Sequence, residues 1–207
     1  MSIEALILDY GGVLSFPQSH DRVAAMAKLL GSPVDEFERA YHEYRDEYDA
    51  GVYAPVEYWE RVLARLAREH LASPSLTAAL IEEDIASWSD FRENVWALAK
   101  EFHAKGARLA FLSNNVPPLM ERLRDRGRLA PFDVVMASCE LGFCKPDPRI
   151  YRVCLEALRV RPTEALLVDD TPVNVDAASA LGIESLLFEG DDAFERLRWR
   201  LAPHVPD

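Results

Sequence analysis

The sequence predicts an α/β domain with a doubly wound parallel sheet and a helical segment inserted after its first strand. Short apolar runs that end in glycine or polar residues indicate buried parallel strands. Between these runs lie patterns with helical spacing, and the alternation of strand and helix is typical of a parallel sheet with helices on both faces. The predicted strands span residues 3–9, 107–113, 165–170 and 183–188, with a weaker one at 132–137.

Glycine and proline mark the ends of the predicted helices. Glycine follows three of the helical patterns, and proline stands near the start of three, as helix capping preferences require. The predicted helices of the sheet domain span residues 94–105, 118–126, 148–159 and 173–181.

The insertion occupies residues 17–90, where no strand-like run occurs. Its predicted helices span residues 20–30, 56–70 and 76–87, and a further helix is expected to begin with Ser32 as N-cap and Pro33 as its first residue. A segment of this length is too long for a loop and suits a small helical bundle. We therefore predict a core of residues 1–16 and 91–207 and a helical cap of residues 17–90.

Two side-chain patterns fall within the predicted cap. Phe37, Tyr41, Tyr44 and Tyr48 recur at helical spacing and are expected to lie in the cap core. The acidic residues of segment 36–49 are expected to form a solvated face.

Charge and cysteine content narrow the class of protein. The chain has 207 residues, with 23 Lys+Arg against 35 Asp+Glu and a net charge of −12, which argues against nucleic acid or an anionic membrane as a partner. Three cysteines do not suit a disulfide framework, and neither a signal peptide nor a membrane-spanning run is evident. We expect a soluble cytoplasmic protein, either a monomer or a homodimer.

Polar residues collect where the predicted strands end. In open α/β sheets ligands bind beyond the carboxyl ends of the strands. Asp9, Ser113 and the pair Asp169 and Asp170 stand at such ends, and Lys145 precedes a neighbouring helix. Crowded carboxylates need a compensating charge, from Lys145 or from a divalent cation with oxygen ligands, for which Mg²⁺ is the natural candidate.

Four segments resemble, in order, the motifs of the haloacid dehalogenase-like hydrolases. They are residues 9–14 (DYGGVL), 112–114 (LSN), 142–151 (GFCKPDPRIY) and 168–174 (VDDTPVN). The resemblance extends from residue 3 to about residue 188. It implies a Rossmann-like core with a helical C1-type cap and a Mg²⁺-dependent phosphatase acting on a small phosphorylated metabolite.

The resemblance also implies roles for single residues. Asp9 would be the nucleophile that becomes an aspartyl-phosphate. Ser113 and the backbone N–H of Asn114 would hold the phosphoryl oxygens, and Lys145 would neutralise Asp9 and the bound phosphate.

The implied metal site uses residues of the first and last motifs. Asp170 would bind Mg²⁺ together with Asp9 and the backbone carbonyl of Gly11. Asp169 would lie beside Asp170, with Asn174 behind the ligands.

Gly11 departs from the usual phosphatase pattern. Phosphatases of this family usually carry a second Asp at this position, which protonates the leaving alcohol; members similar to glucose-1-phosphate phosphatases also have glycine here. A missing acid favours substrates with an acidic leaving group, such as sugar 1-phosphates. Glycine also permits backbone conformations closed to aspartate. Among the histidines, His20 is the best placed to substitute for the acid.

Two alternatives remain open at this point. Hydrolytic dehalogenation of a 2-haloacid is one, since those relatives also lack the second Asp, although they need no metal and do not keep the Asp-Asp pair. The other is a weakened member that only binds phosphorylated ligands.

Overall fold

The structure, a computed structural model, describes residues 3–202 and contains one parallel sheet. Its strands are β1 (Ala5–Leu8), β2 (Arg108–Ser113), β3 (Val134–Ala137), β4 (Ala165–Asp169) and β5 (Glu184–Leu187). Their order in the sheet is β3-β2-β1-β4-β5, and every pairing is parallel. The predicted doubly wound α/β fold is confirmed.

Strand β1 lies at the centre of the sheet, and its register sets the position of the site. Leu8 is paired with Phe111 on β2 and with Val168 on β4. The backbone N–H of Asp9 donates to the Val168 carbonyl at 3.0 Å. The carboxyl ends of these three central strands therefore reach the same edge of the sheet.

Side chains on the two faces of the sheet bury two separate apolar clusters. Leu6 and Leu8 of β1 belong to one cluster, whereas Ala5 and Ile7 belong to the other, as the alternation of side chains along a strand requires. Both clusters consist of almost fully buried residues. Burial on both faces explains why the strands are continuous apolar runs.

Within residues 3–202, six helices follow the insertion, and proline occupies the first turn of three of them. These helices are α6 (Glu93–Ala104), α7 (Pro117–Asp125), α8 (Ser138–Leu141), α9 (Pro148–Leu158), α10 (Pro172–Ser179) and α11 (Ala193–Leu201). Asp147 caps α9 by accepting a hydrogen bond from the Arg149 N–H at 2.9 Å. The predicted helices at 94–105, 118–126, 148–159 and 173–181 agree with α6, α7, α9 and α10 to within two residues.

Five α-helices form the insertion, between β1 and α6. They are α1 (His20–Leu29), α2 (Val34–Glu43), α3 (Arg45–Asp49), α4 (Pro55–Arg65) and α5 (Pro74–Ser87). Tyr41, Tyr48, Tyr58 and Trp59 are buried among them, and the Tyr48 and Tyr58 rings stack with centroids 4.2 Å apart. An isolated antiparallel β-bridge between Ser15 and Phe91 connects the segments that precede and follow the insertion. The boundaries at residues 17 and 90 stay a prediction.

Three local predictions within the insertion are wrong. Ser32 does not cap α2: Pro33 is the N-cap with an extended ψ of 144°, and the Ser32 hydroxyl donates to the Pro33 carbonyl at 3.1 Å. The helix expected over 56–70 ends at Arg65 because Ala67 adopts a left-handed φ of 53°. Tyr44 has a non-helical backbone, so the aromatic series spans α2 and α3 instead of one helix.

No helix within residues 3–202 combines the length and the apolar character needed to cross a lipid bilayer.

Candidate active site

A cavity of about 240 Å³ lies between the carboxyl edge of the sheet and the inserted helices. Two groups of residues face each other across it. The floor consists of Asp9, Gly11, Ser113, Asn114, Lys145 and Asp170. The roof consists of Tyr41, His42, Arg45, Asp49 and Trp88. The structure thus brings the predicted site residues to one cavity, except that Asp169 is fully buried behind the wall; their catalytic roles stay predictions.

Lys145 connects the nucleophile candidate to the pair of acids. Its Nζ lies 2.8 Å from Asp9 Oδ1 and 2.6 Å from Asp169 Oδ2. The Asn114 carboxamide fixes the Lys145 backbone, since its Nδ2 donates to the Lys145 carbonyl at 2.9 Å and its Oδ1 accepts from the Lys145 N–H at 2.7 Å. The side chain of Asn114 therefore positions the Lys145 backbone.

The two neighbouring acids of β4 and its following loop have different surroundings. Both oxygens of Asp169 are engaged, because Lys145 donates to Oδ2 while the Thr171 N–H, at 3.0 Å, and the Asn174 amide, at 2.9 Å, donate to Oδ1. The Asp170 carboxylate accepts from the Thr171 hydroxyl at 3.1 Å and lines the cavity. Asp170 is therefore the better placed of the two to bind a cation.

Gly12 makes room for the Asp170 carboxylate. Its φ is +70°, and a Cβ atom on it would lie 2.1 Å from Asp170 Oδ2. Only glycine tolerates this backbone conformation and this approach together. The position of the Asp170 carboxylate therefore requires glycine at residue 12.

The acidic group suits a hard divalent cation. Carboxylate oxygens of Asp9, Asp169 and Asp170 lie within 4.8 Å of one another. Asp9 Oδ1 is sealed from solvent, and its contact with Lys145 lacks hydrogen-bond geometry, so this oxygen accepts no hydrogen bond within residues 3–202. Three carboxylates face one ammonium here, and oxygen ligands with excess negative charge are what Mg²⁺ requires. The residues present therefore fit the ion.

Burial is the largest influence on the pKa values of the titratable floor residues. It raises the pKa of Asp9 to about 7; the charge of Lys145 opposes this rise, and the charges of Asp169 and Asp170 add to it. Burial and the charge of Asp169 also raise the pKa of Asp170. For Lys145 burial acts in the lowering direction, but Asp9 and Asp169 outweigh it and raise its pKa. Lys145 is accordingly a permanent cation.

Ser113 stands at the end of β2 with its hydroxyl at the cavity. The residue is buried, and its Oγ makes one long hydrogen bond, to the Asn114 carbonyl at 3.4 Å. A weakly engaged hydroxyl is free to turn toward a bound phosphoryl oxygen.

The obstacle to an acid at Gly11 is a tryptophan and not the backbone. Gly11 has φ −60° and ψ 134°, which any residue adopts. A Cβ atom there would lie 3.1 Å from Cζ3 of Trp88, the C-cap residue of α5. The Tyr10 hydroxyl donates to the Trp88 carbonyl at 2.6 Å and holds it beside this loop. An aspartate at position 11 would therefore need the indole ring to shift by a few tenths of an ångström.

The roof contains a charged pair that the sequence did not predict. Arg45 and Asp49 have side chains only 13% and 16% exposed and are ion-paired at 2.9 Å, so Asp49 does not belong to a solvated face. His42 lines the cavity, whereas His20 is exposed at the start of α1 and does not. Burial and the charge of Arg45 lower the pKa of His42. The i,i+4 spacing of Tyr41, Arg45 and Asp49 was the one available signal.

The chain is similar in sequence to hydrolases of one family. The family model for haloacid dehalogenase-like hydrolases matches residues 3–182. A phosphatase of Mycobacterium tuberculosis is 27% identical over 197 residues, which cover 91% of this chain and 88% of that protein. The phosphoserine phosphatase of Thermus thermophilus is 39% identical over 92 residues, covering 44% of this chain and 37% of its own length.

A mouse protein, acyl-CoA dehydrogenase family member 10, is 32% identical over 136 residues. The match covers 63% of this chain but only 12% of the mouse protein. Since the family model accounts for most of the chain, this protein belongs to the haloacid dehalogenase-like hydrolases.

Solved structures share the fold. A HAD-family enzyme from Bacteroides thetaiotaomicron, in its magnesium complex, superposes with a TM-score of 0.81 at 18% identity and covers 96% of this chain and 99% of its own. The same enzyme in complex with magnesium and inorganic phosphate gives a TM-score of 0.79, covering 95% and 99%. L-2-haloacid dehalogenase from Xanthobacter autotrophicus gives 0.66 at 19% identity, covering 99% and 85%.

Proposed function

We propose that this protein is a Mg²⁺-dependent phosphomonoesterase that acts through an aspartyl-phosphate on Asp9. The observation that carries the proposal is the floor of the cavity, where Asp9 is paired with Lys145 at 2.8 Å and lies within reach of Asp170. The phosphatase relatives and the magnesium and phosphate complex of the Bacteroides enzyme support it.

Asp9 Oδ2 is the proposed attacking atom. It has no hydrogen-bond partner within residues 3–202 and, unlike Oδ1, is not sealed from the cavity. It forms a bond to phosphorus as the bond from phosphorus to the leaving-group oxygen breaks and its electron pair passes to that oxygen. Water then attacks the aspartyl-phosphate, which releases inorganic phosphate and restores Asp9.

Three groups of the floor would manage charge during this transfer. Lys145, the Ser113 hydroxyl and the Asn114 N–H would bind phosphoryl oxygens, and Lys145 would also keep Asp9 ionised beside the incoming phosphate. Mg²⁺, held by Asp9, Asp170 and the Gly11 carbonyl with Asp169 beside them, would supply the charge stabilisation that phosphoryl transfer needs.

The more specific part of the proposal concerns the chemical nature of the leaving group. Because residue 11 has no side chain and Trp88 fills the space above it, no carboxyl group there can protonate the departing oxygen. Leaving groups that depart as stable anions are then favoured, which points to sugar 1-phosphates over simple alkyl phosphates.

One assay tests the proposal against its alternatives. The purified chain is incubated with phenyl phosphate, with a hexose 1-phosphate and with 2-chloropropionate, in Mg²⁺ or in EDTA, and phosphate and chloride are measured. We expect phosphate release that EDTA abolishes and that Asp9→Asn lacks. Chloride release that survives EDTA would instead identify a dehalogenase, and calorimetric binding of the phosphate esters without turnover would identify a binding protein.

A further inference from the structure

The roof of the cavity holds a second polar site opposite the phosphate end. Arg45 and Asp49, which we call the roof pair, lie one turn apart on α3, and Arg45 Nε donates to Asp49 Oδ1 at 2.9 Å. Both residues line the same cavity as Asp9 and Lys145. A group attached to a phosphate bound on the floor would therefore meet this pair.

The guanidinium of Arg45 is held rigidly from behind. Its Nη1 contacts the Tyr41 hydroxyl and lies 3.3 Å from an oxygen of Asp84, and Tyr41 donates to Asp84 at 2.6 Å. The guanidinium also lies over the Tyr41 ring, 5.1 Å from its centroid. Buried ion pairs add little to stability compared with apolar residues of similar volume, so packing alone gives no reason for this arrangement.

Each member of the roof pair keeps one unused hydrogen-bonding atom. Within residues 3–202, Arg45 Nη2 donates no hydrogen bond and Asp49 Oδ2 accepts none. Neither atom is among those sealed from solvent without a partner. A donor and an acceptor side by side match a hydroxyl group, or two adjacent hydroxyl groups, because a hydroxyl both donates and accepts.

The surrounding charges select against other ligands. Asp49 and Asp84 outnumber Arg45 on the roof. A second anionic group on the substrate would meet this excess of negative charge. A purely apolar group would leave both atoms of the pair unpaired. The rings of Tyr41 and Trp88 in the same wall suit the C–H faces of a sugar.

The roof pair is also fixed relative to the floor. The Ser138 hydroxyl donates to the Asp49 carbonyl and accepts from the Asn115 N–H, the latter at 3.0 Å. Gly51 permits this docking, since its φ is +73° and a Cβ atom on it would lie 2.3 Å from the Cys139 carbonyl oxygen. A hydroxylated group bound by the pair would thus be held at a set distance from Asp9.

Resting on the proposed function, we propose that Arg45 and Asp49 form a subsite that recognises hydroxyl groups on a neutral, polyhydroxylated leaving group. The test compares kcat/KM for a hexose 1-phosphate with kcat/KM for phenyl phosphate, which also has an acidic leaving group but no hydroxyl on it. Asp49→Asn and Arg45→Lys should lower this ratio by about 10- to 100-fold, as the loss of a hydrogen bond to a charged group does.

Exposed residues on the same helices provide matched controls. Asp46→Asn on α3 and Arg39→Lys on α2 should keep the wild-type ratio, because neither residue lines the cavity. Circular dichroism and thermal melts establish that each variant is folded. A ratio within twofold of wild type in both roof variants would overturn the subsite.

The wild-type protein provides a second test that needs no variant. It should prefer the hexose 1-phosphate at least tenfold over the analogue whose ring hydroxyls are removed and over a sugar bisphosphate. Equal rates on the deoxygenated analogue, or a preference for the bisphosphate, would also overturn the subsite. Failure to release phosphate from any ester is a different result, since it refutes the phosphatase itself.

Discussion

On the floor of the cavity, Asp9 directly follows β1 and Ser113 is the last residue of β2, whereas on the roof Arg45 and Asp49 belong to a short helix of the insertion. The sheet register determines where the floor residues lie, because the carboxyl ends of β1, β2 and β4 meet once these strands pair in parallel. Roof residues depend on how α2 turns into α3 at Tyr44 and on the docking of Asp49 to Ser138.

Because of this difference, we expect the floor and the roof to have separate functions. The floor residues belong to the segments that resemble the motifs of the family, and they perform the proposed phosphoryl transfer. The roof groups, together with Trp88 above Gly11, are expected to decide which leaving group is accepted. Variants on the two sides should therefore have different kinetic signatures, a general loss of turnover from the floor and a change of substrate preference from the roof.

The largest expected effect is that of Asp9→Asn on the floor. An amide has nearly the shape of the carboxylate but cannot form the phosphoryl bond, so turnover should fall by at least about a thousandfold on every substrate. Phosphate release is compared with that of Asp125→Asn, an exposed acid at the end of α7. Turnover within tenfold of wild type would remove Asp9 from the role of nucleophile.

The next effect separates the two neighbouring acids. Asp170→Ala should weaken Mg²⁺ binding by about tenfold or more, and by more than Asp169→Ala, because Asp169 already accepts from Lys145, Thr171 and Asn174. Calorimetric titration of Mg²⁺ into both folded variants measures this. A larger loss from Asp169→Ala would reverse the assignment.

A smaller effect tests the contact between floor and roof at Gly11. Gly11→Asp alone should bring little gain on alkyl phosphates, since the new side chain meets Trp88, while Gly11→Asp combined with Trp88→Ala should gain several-fold. The readout is the dependence of kcat on leaving-group pKa, which we expect to be steep in wild type and in Trp88→Ala. A flat dependence in wild type would mean that another group supplies the proton, and His42, which lines the roof, is a candidate.

The smallest effect is a pH dependence of stability in EDTA. Burial raises the pKa of Asp9 from its usual 3.8 to about 7, so between these values the folded chain retains a proton that the unfolded chain has released. The free energy of unfolding should therefore fall as pH rises from about 4 to 7, by on the order of 2 kcal/mol.

Asp9→Asn has no carboxyl group to titrate and isolates this contribution. The difference in melting temperature between wild type and Asp9→Asn should change by roughly 4–8 °C between pH 5 and pH 8. Saturating Mg²⁺ should reduce that change, because a bound cation keeps Asp9 ionised. Parallel pH profiles of the two proteins in EDTA would contradict a buried, poorly compensated Asp9.

The sequence by itself determined the sheet, its connections and most of the floor. Apolar runs with buried faces and glycine or proline at helix ends depend on local chemistry, and parallel pairing then forces Asp9, Ser113 and Asp170 to one edge. Lys145 was predicted beside them for the same reason. Gly11 and Gly12 are part of the first motif in the sequence. The sequence does not show, however, that Gly12 makes room for Asp170 while Gly11 lies beneath Trp88.

Only the tertiary structure decided the roof. The acids of segment 36–49 look alike in sequence, yet Asp46 is exposed while Asp49 is paired with Arg45 in the cavity wall. Tyr41, Arg45 and Asp49 follow helical spacing across the irregular backbone at Tyr44, but that spacing does not tell a charged pair in a cavity wall from one on a solvated face. Long-range contacts, from Asp84 to Arg45 and from Ser138 to Asp49, then set their orientation, and such contacts leave no periodic signal in a single sequence.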